Sequence, residues 1–456
     1  MRNLLPLKIS ALVLLCIVFL ISFSMSEPVE DWHRGELVVI LPPTDSLDQQ
    51  FDRQLAELFA IQLKVKLKTI ELYPHQVPNA LAMHLAHFSA IGMRANEPDE
   101  PTKFGVPYQT VSELVVCSGK PPRQQNDLKS RELVVVAGSA QEAALRVARL
   151  TDTSLNWGSV DKAKPNDLLE EVAKGQRDCT VANEEQIAFM RNFHPSLEGT
   201  LEIAEPSQLA WSFATNVDAE LYAQMEKFFA QIEEDGTLDR LIERFYGHSD
   251  RIMPIDAAAF LTKTSTVLPH YRHIFEEAAS ITGIEWQLLA AMAYRESHWN
   301  PLATSYTKVR GMMMLTEDTA DRMNVTNRLD ARESIMAGAR YLQLLKEQLP
   351  LRIDEPERTW LALAAYNQGM GHLEDARTLS QRHGLDPDSW GDVQKVMPKL
   401  RNPSVAKTLK HGYARGGEAV VFVETVRLYH DMLKRISREE YKQLLPPDYQ
   451  IRLNAW

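Results

Sequence analysis

The sequence predicts an α/β first half joined to a mainly α second half, and three features carry that prediction. Residues 35–247 alternate short apolar runs with amphipathic stretches, the pattern of strands interleaved with helices. From residue 265 to residue 456 the apolar residues recur at helical spacing instead. Between these parts, residues 248–264 hold Pro254 and end rich in Thr and Ser, which reads as a linker. With 456 residues and 45% hydrophobic content, the chain can build two or three sizeable cores.

Taken in order, the chain opens with Arg2 and Lys8 before an apolar run over 11–21. Ser22, Ser24 and Ser26 follow, and then the acidic Glu27, Glu30 and Asp31. This is the shape of a secretory signal peptide over 1–26. The other reading is an uncleaved anchor, although the run is short against the ~20 residues that span a bilayer. Leu15 stands before Cys16 where a lipoprotein signal would place a small residue. A net charge of -11 argues against a nucleic-acid partner and gives no help in binding anionic membranes or wall polymers. Beyond the signal, Cys117 and Cys179 can pair in an oxidising compartment or serve as two small buried hydrophobes. His84 and His87 have no further ligands nearby, so neither a metal nor a cofactor is expected.

Strands are predicted over 36–41, 65–72, 88–92, 113–117, 132–137 and 179–182. Helices are predicted over 48–62, 141–150, 184–192 and 218–233. In the second half, Thr282 and Glu285 have capping-box spacing and predict a helix start, with Asn300-Pro301 as its end. Leu289, Met292 and Glu296 then share one face, so a carboxylate closes an apolar stripe. Burial would raise its pKa, as a general acid requires. Spacing alone equally allows a Glu at a frayed helix end, paired with Arg295 or hydrated. Asp330 and Glu333 repeat the capping-box spacing before Ile335, Leu342 and Leu345. A further apolar helix runs over 360–367, with Gly369 or Gly371 to stop it.

Glu296-Ser297, Asn300-Pro301, Ser305, Gly311-Met312-Met313 and Ala365-Tyr366-Asn367-Gln368-Gly369 together resemble the soluble lytic transglycosylase domain family. Met314 departs from that family's pattern, which has Gln there. The resemblance implies a lysozyme-like helical fold over 265–456 that cleaves peptidoglycan glycan strands, with Glu296 as catalytic residue. It implies substrate-binding roles for Ser305, Met313, Tyr366 and Asn367. Glu418, before Phe422-Val423, is similar to a further Glu motif of the family, but Ala419 and Val420 replace its Thr and Arg. For Met313 and Tyr366, plain helix packing is the competing reading. Glu317, Asp318 and Asp321 sit where a helix's first turn attracts acids for dipole reasons alone.

Residues 35–247 resemble the family 3 periplasmic solute-binding proteins, two α/β lobes around a cleft. The matching residues are Phe104-Gly105-Val106-Pro107-Tyr108, Gly138-Ser139, and 234–247. The fold expected is therefore a two-lobed periplasmic-binding-protein-like domain followed by a mainly α lysozyme-like domain, a combination found in one membrane-bound branch of lytic transglycosylases. The two ionic anchors that grip free amino acids in the solute-binding family differ here. An acidic segment over 96–101, with Asp99 and Glu100, lacks the Arg, and Asn183 replaces an Asp. Gly138-Ser139 could still offer backbone donors to an anion. The expected partners are peptidoglycan strands, a muropeptide in the N-terminal cleft and a peripheral membrane contact, with the enzyme in the periplasm on the outer membrane. The rivals are a lysozyme-type hydrolase, which needs a second carboxylate facing Glu296, and a wall-fragment sensor with vestigial catalysis.

Overall fold

A computed structural model describes residues 29, 31–43, 46–95, 102–247, 254–305 and 308–444. The signal segment over 1–26 and the acidic segment over 96–101 lie outside these residues. The chain divides into two compact units. One takes residues up to Glu184 together with Gly199–Asp235; the other takes Glu185–Glu198 and residues from Gly236 on.

The first unit is α/β. Its strands are β1 (Glu36–Leu41), β2 (Lys66–Glu71), β3 (Phe88–Arg94), β4 (Thr102–Phe104), β5 (Gln109–Val111), β6 (Glu113–Cys117), β7 (Val134–Val136), β8 (Gly158–Val160), β9 (Cys179–Asn183), β10 (Gly199–Glu202) and β11 (Ser207–Ala214). The helices up to residue 235 are α1 (Leu47–Leu63), α2 (Val77–Ala82), α3 (Ala140–Arg149), α4 (Pro165–Ala173), α5 (Glu184–Arg191), which after its first residue belongs to the second unit, and α6 (Ala219–Glu234). One sheet runs β2-β1-β3-β11-β4, with β5 also on β11; a second runs β10-β6-β9; β7 and β8 form a pair. The chain thus leaves the first sheet after β5, builds the second, and returns at β11, which gives two lobes. β1 pairs in parallel with β2 and β3, and β11 closes on β3 antiparallel. Phe59 of α1, Phe88 of β3, Trp211 of β11 and Phe228 of α6 fill the space between helices and sheet, with Phe88 and Trp211 stacked at 4.5 Å. Cys117 and Cys179 face each other across β6 and β9, 4.1 Å apart at Cα, and form a disulfide.

The second unit is helical: α7 (Thr237–Phe245), α8 (Pro254–Thr266), α9 (Arg272–Thr282), α10 (Trp286–Ser297), α11 (Glu317–Arg322), α12 (Ala331–Gln348), α13 (Glu357–Gln368), α14 (Met370–Arg382), α15 (Trp390–Val396), α16 (Pro403–Ala406) and α17 (Gly416–Leu444). α10 is its axis, with Leu289, Ala290, Ala291, Met292 and Ala293 fully buried. A charged pin crosses the same core. Glu424, 1% exposed, pairs with Arg427 at 2.9 Å and accepts the indole N–H of Trp390.

Two boundaries differ from the sequence reading. Of the expected linker over 248–264, residues 254–264 belong to α8. Ala257 and Phe260 are buried in the second unit's core, Phe260 stacking on Tyr429 at 4.3 Å. The helical spacing of Ala257, Phe260, Leu261 and Thr264 was masked by the Thr- and Ser-rich run over 262–266. α7, expected to end the first domain, belongs to the second unit: Arg244 reaches Glu357 at 2.8 Å and Glu243 accepts from Gln394 at 2.8 Å.

Candidate active site

α10 does not begin as the capping box predicts. Thr282 is the last residue of α9, its hydroxyl donating to the Ala278 carbonyl at 2.8 Å, and Gly283 turns the chain at φ 71°. Glu285 is the N-cap residue without a side-chain cap; its carboxylate instead lies 2.7 Å from His430 Nε2. That partner, with Lys434, holds the Glu285 carboxyl down to about 2 against the opposing effect of burial. The helix ends at Ser297, three residues before Asn300, because His298 and Trp299 both adopt the left-handed conformation. Trp299 then folds back under the helix, donating its indole N–H to the Ala290 carbonyl at 2.8 Å.

This ending fixes Glu296 on the last turn. Ser297 Oγ, one residue on, donates to the Met312 carbonyl at 2.8 Å and so ties α10 to the glycine turn. Gly311 has φ +86°, and a Cβ there would fall 1.8 Å from the Arg328 carbonyl oxygen, so only glycine fits. Met314, which departs from the family's Gln, sits at φ 46°, an uncommon conformation for a side-chain-bearing residue. Met313 is held from both sides: its N–H donates to Ser334 Oγ at 3.1 Å, and its carbonyl accepts the Tyr366 hydroxyl at 2.9 Å.

Glu296 is half-buried, and burial pushes its carboxyl up to about 8 although the neighbouring Arg295 opposes the rise. No second carboxylate contributes to that shift. Such a group carries a proton at neutral pH, can donate it, and can take one back. Burial and, secondarily, the charge of Glu296 push the Tyr366 hydroxyl well above its ordinary range, which sets Tyr366 beside the carboxyl.

The remaining predicted residues separate into two groups. Asn367 and Glu418 line an open groove of about 960 Å³ together with Arg295. Ser305 lies in a tight loop, where its Oγ accepts from Val309 N–H at 3.3 Å and its own N–H donates to the Val309 carbonyl at 3.0 Å. Met313 does not reach the groove with its side chain. It is fully buried against Gly338, where an added Cβ would stand 2.7 Å from it, so only its backbone serves the site. The sequence reading missed Arg401, Tyr413 and Arg415, which also line the groove. Nothing in their spacing marks them, because Arg401 comes from the turn over 397–401 and Tyr413 and Arg415 from the loop before α17. It also passed over Glu424-Thr425, a literal Glu-Thr pair six residues past Glu418; burial and Arg427 make Glu424 structural.

In the first unit, Gly138-Ser139 offers less to an anion than expected. The Gly138 N–H already donates to Glu142 Oε2 at 2.7 Å, and Ser139 Oγ caps the Glu142 N–H. Asn183 is buried on β9, in register with Glu113 of β6. Among the described residues no group of His, Cys, Asp and Glu could hold a metal ion, and no helix is long and apolar enough to cross a membrane.

Residues 273–386 match the transglycosylase SLT domain family. The chain is 42% identical over 409 residues to a membrane-bound lytic murein transglycosylase F of Methylobacillus flagellatus, covering 89% of this chain and 85% of that protein. Its namesake in Nitrosospira multiformis is 44% identical over 389 residues, covering 84% and 81%. The one in Yersinia pestis is 41% identical over 401 residues, covering 86% and 81%. Among solved structures, an L-cysteine solute receptor of Neisseria gonorrhoeae aligns with 46% of this chain and 90% of its own, at 16% identity and a TM-score of 0.42. An ancestral arginine-binding protein aligns with 47% and 99%, at 20% identity and a TM-score of 0.40.

Proposed function

The chain belongs to the membrane-bound lytic murein transglycosylase F family, and from that premise we propose that Glu296 is the carboxyl group through which it cleaves peptidoglycan. The protein is a peptidoglycan lytic transglycosylase, a carbon-oxygen lyase acting on glycan strands. The observation that carries the role of Glu296 is its carboxyl, pushed by burial to about 8 with no second carboxylate contributing, one residue after Arg295 of an open groove.

In this reading, protonated Glu296 gives its proton to the oxygen of the MurNAc-GlcNAc β-1,4 bond, and that bond breaks. The substrate's own N-acetyl oxygen supports the positive charge at C1. Glu296, now ionised, takes the proton from the muramyl C6 hydroxyl as that oxygen bonds to C1. The muramyl end becomes a 1,6-anhydro ring, Glu296 regains its proton, and no water is consumed. A hydrolase would instead use a second carboxylate to direct water or to attack C1. Tyr366, Asn367 and Glu418 contribute substrate contacts around the groove, Ser305 shapes its neighbouring loop, and Met313 holds Tyr366 through its carbonyl. Replacing Glu296→Gln is expected to lower cleavage of purified peptidoglycan by ~10² to 10⁴ while binding persists, since the amide cannot donate the proton. Full activity in that variant would refute the assignment.

The N-terminal domain serves in this proposal as a regulatory domain for a muropeptide rather than for a free amino acid. Supporting this are the neutral Asn183 and the Gly138 N–H already taken by Glu142. Calorimetry on the full chain with amino acids and with muropeptides tests it; micromolar binding of an ordinary amino acid would contradict it. We place the enzyme in the periplasm, peripheral to the outer membrane, as the family's name and the signal-like residues 1–26 favour. Recovery in the cytoplasmic fraction of cells would exclude that placement.

A further inference from the structure

The groove that Arg295 lines, one residue before Glu296, is too basic for a neutral glycan. Arg295, Arg401 and Arg415 line it against a single carboxylate, Glu418, in a chain whose net charge is -11. Glycan hydroxyls and acetamido groups call for neutral hydrogen-bond partners and an apolar face. Tyr413, 54% exposed, and Asn367 supply those. Clustering guanidinium groups together costs repulsion that a neutral ligand would not offset.

The arginines are also held in place rather than left on loose loops. The buried Asp375 accepts the N–H groups of Lys410, His411 and Gly412 at 3.0, 2.7 and 3.1 Å, which fixes the loop leading to Tyr413. The next residue, Ala414, donates its N–H to the Leu400 carbonyl at 3.3 Å, so the turns carrying Arg401 and Arg415 are stapled together. At Gly416 a Cβ would meet the Met397 carbonyl oxygen at 2.0 Å, so this start of α17 is pressed directly on the 397–401 turn. Arg415 lies 3.3 Å from Glu418, both being exposed, a pair weak enough to open toward a ligand.

Resting on the transglycosylase reading, we propose that Arg401 and Arg415, with Arg295 of the same groove, form a carboxylate-binding shelf that recognises the peptide stems of the strand being cut. In a stem-bearing strand the sugars are neutral, because each muramyl lactyl carboxyl is held in an amide bond, whereas the stem peptides carry free carboxylates. A planar guanidinium matches a carboxylate with two parallel hydrogen bonds. The shelf therefore sets a preference for strands whose stem carboxylates are free over strands in which they are amidated, and it acts on substrate choice rather than on the proton transfer at Glu296.

The test uses the full chain and soluble stem-bearing glycan strands, with the stem carboxylates either free or converted to primary amides. The wild type is expected to cleave the strands with free stem carboxylates with the higher kcat/KM, by about fivefold as two exposed ion pairs allow. That preference should shrink as ionic strength rises. Arg401→Gln with Arg415→Gln is expected to remove most of the preference, and Arg401→Lys with Arg415→Lys to keep part of it. Equal kcat/KM on both substrates in the wild type, or an equal fall on both in the Gln variant, would overturn the proposal. Those outcomes leave the transglycosylase reading standing. That reading fails separately, if neither substrate yields anhydro ends.

Discussion

Two glutamates, one in each unit, are pushed by burial to the same pKa of about 8, yet only one has a use for it. Glu113 sits on β6, 1% exposed, among strands; the neighbouring Gln141 only partly opposes the rise. Glu296 sits on the last turn of α10, half-buried, beside Tyr366 and next to a groove lined by its neighbour Arg295. A perturbed carboxyl is therefore no mark of a catalytic site in itself. Access for a substrate, and neighbours that can hold one, separate the two. Glu424 adds the third case: buried just as deeply, it is held by Arg427 and Trp390 and belongs to the core.

The comparison can be broken at several places. The largest effect concerns which residues make up the catalytic unit. A fragment beginning at Gly236 keeps α7 and α8 and is expected to fold and cleave. One beginning at Ser265 loses Phe260 from the aromatic cluster with Tyr294 and Tyr429, at a cost of ~3 to 5 kcal/mol or more, and is expected to unfold. Circular dichroism on the two fragments decides this; an equally folded shorter fragment would restore the linker that the sequence favoured.

A smaller effect separates Glu113 from Glu296. Each has a folded pKa of about 8 against an ordinary value of 4.5, so the folded state holds a proton that the unfolded chain releases. The penalty is absent below about pH 4.5 and grows as pH rises toward about 8, where the folded group also ionises. Glu113→Gln is thus expected to stabilise the first unit by ~2 to 4 kcal/mol at about pH 8 and by little at about pH 4. Glu296→Gln should stabilise the second unit with the same sign and by a similar ~2 to 4 kcal/mol, because its pKa is raised as far. Only Glu296→Gln should lose cleavage; Glu113→Gln should stay within about twofold of the wild type, as a residue remote from the chemistry does. Denaturant midpoints and peptidoglycan cleavage, measured on both variants, check all of this. Loss of activity in Glu113→Gln would erase the distinction.

What the sequence made legible follows from how local each signal was. β1 and β6 stand where the alternating apolar runs place them, and Asp330 caps α12 through the Glu333 N–H at 2.8 Å, as the spacing predicts. β11 was missed although it is an interior strand of the larger sheet. Its Ser, Ala and Gln have little strand character, and only burial between β3 and β4 makes them one. Thr282 and Glu285 had the right letters for a cap, but the carboxylate's partner is His430, 145 residues away, which no local window contains. Glu296 was readable because stripe and motif are contiguous. The arginine shelf was not, because α10, the turn after α15 and the loop before α17 meet only in three dimensions.

The central claim is that one carboxyl group, Glu296, acts alone and without water. Mass spectrometry of the muropeptides released from purified peptidoglycan tests it most directly. The account predicts products ending in 1,6-anhydro-MurNAc, each lighter by one water than the corresponding reducing-end muropeptide. Reducing-end sugars as the main product would contradict it and give a second carboxylate, with Glu418 of the groove the candidate, a part in the reaction.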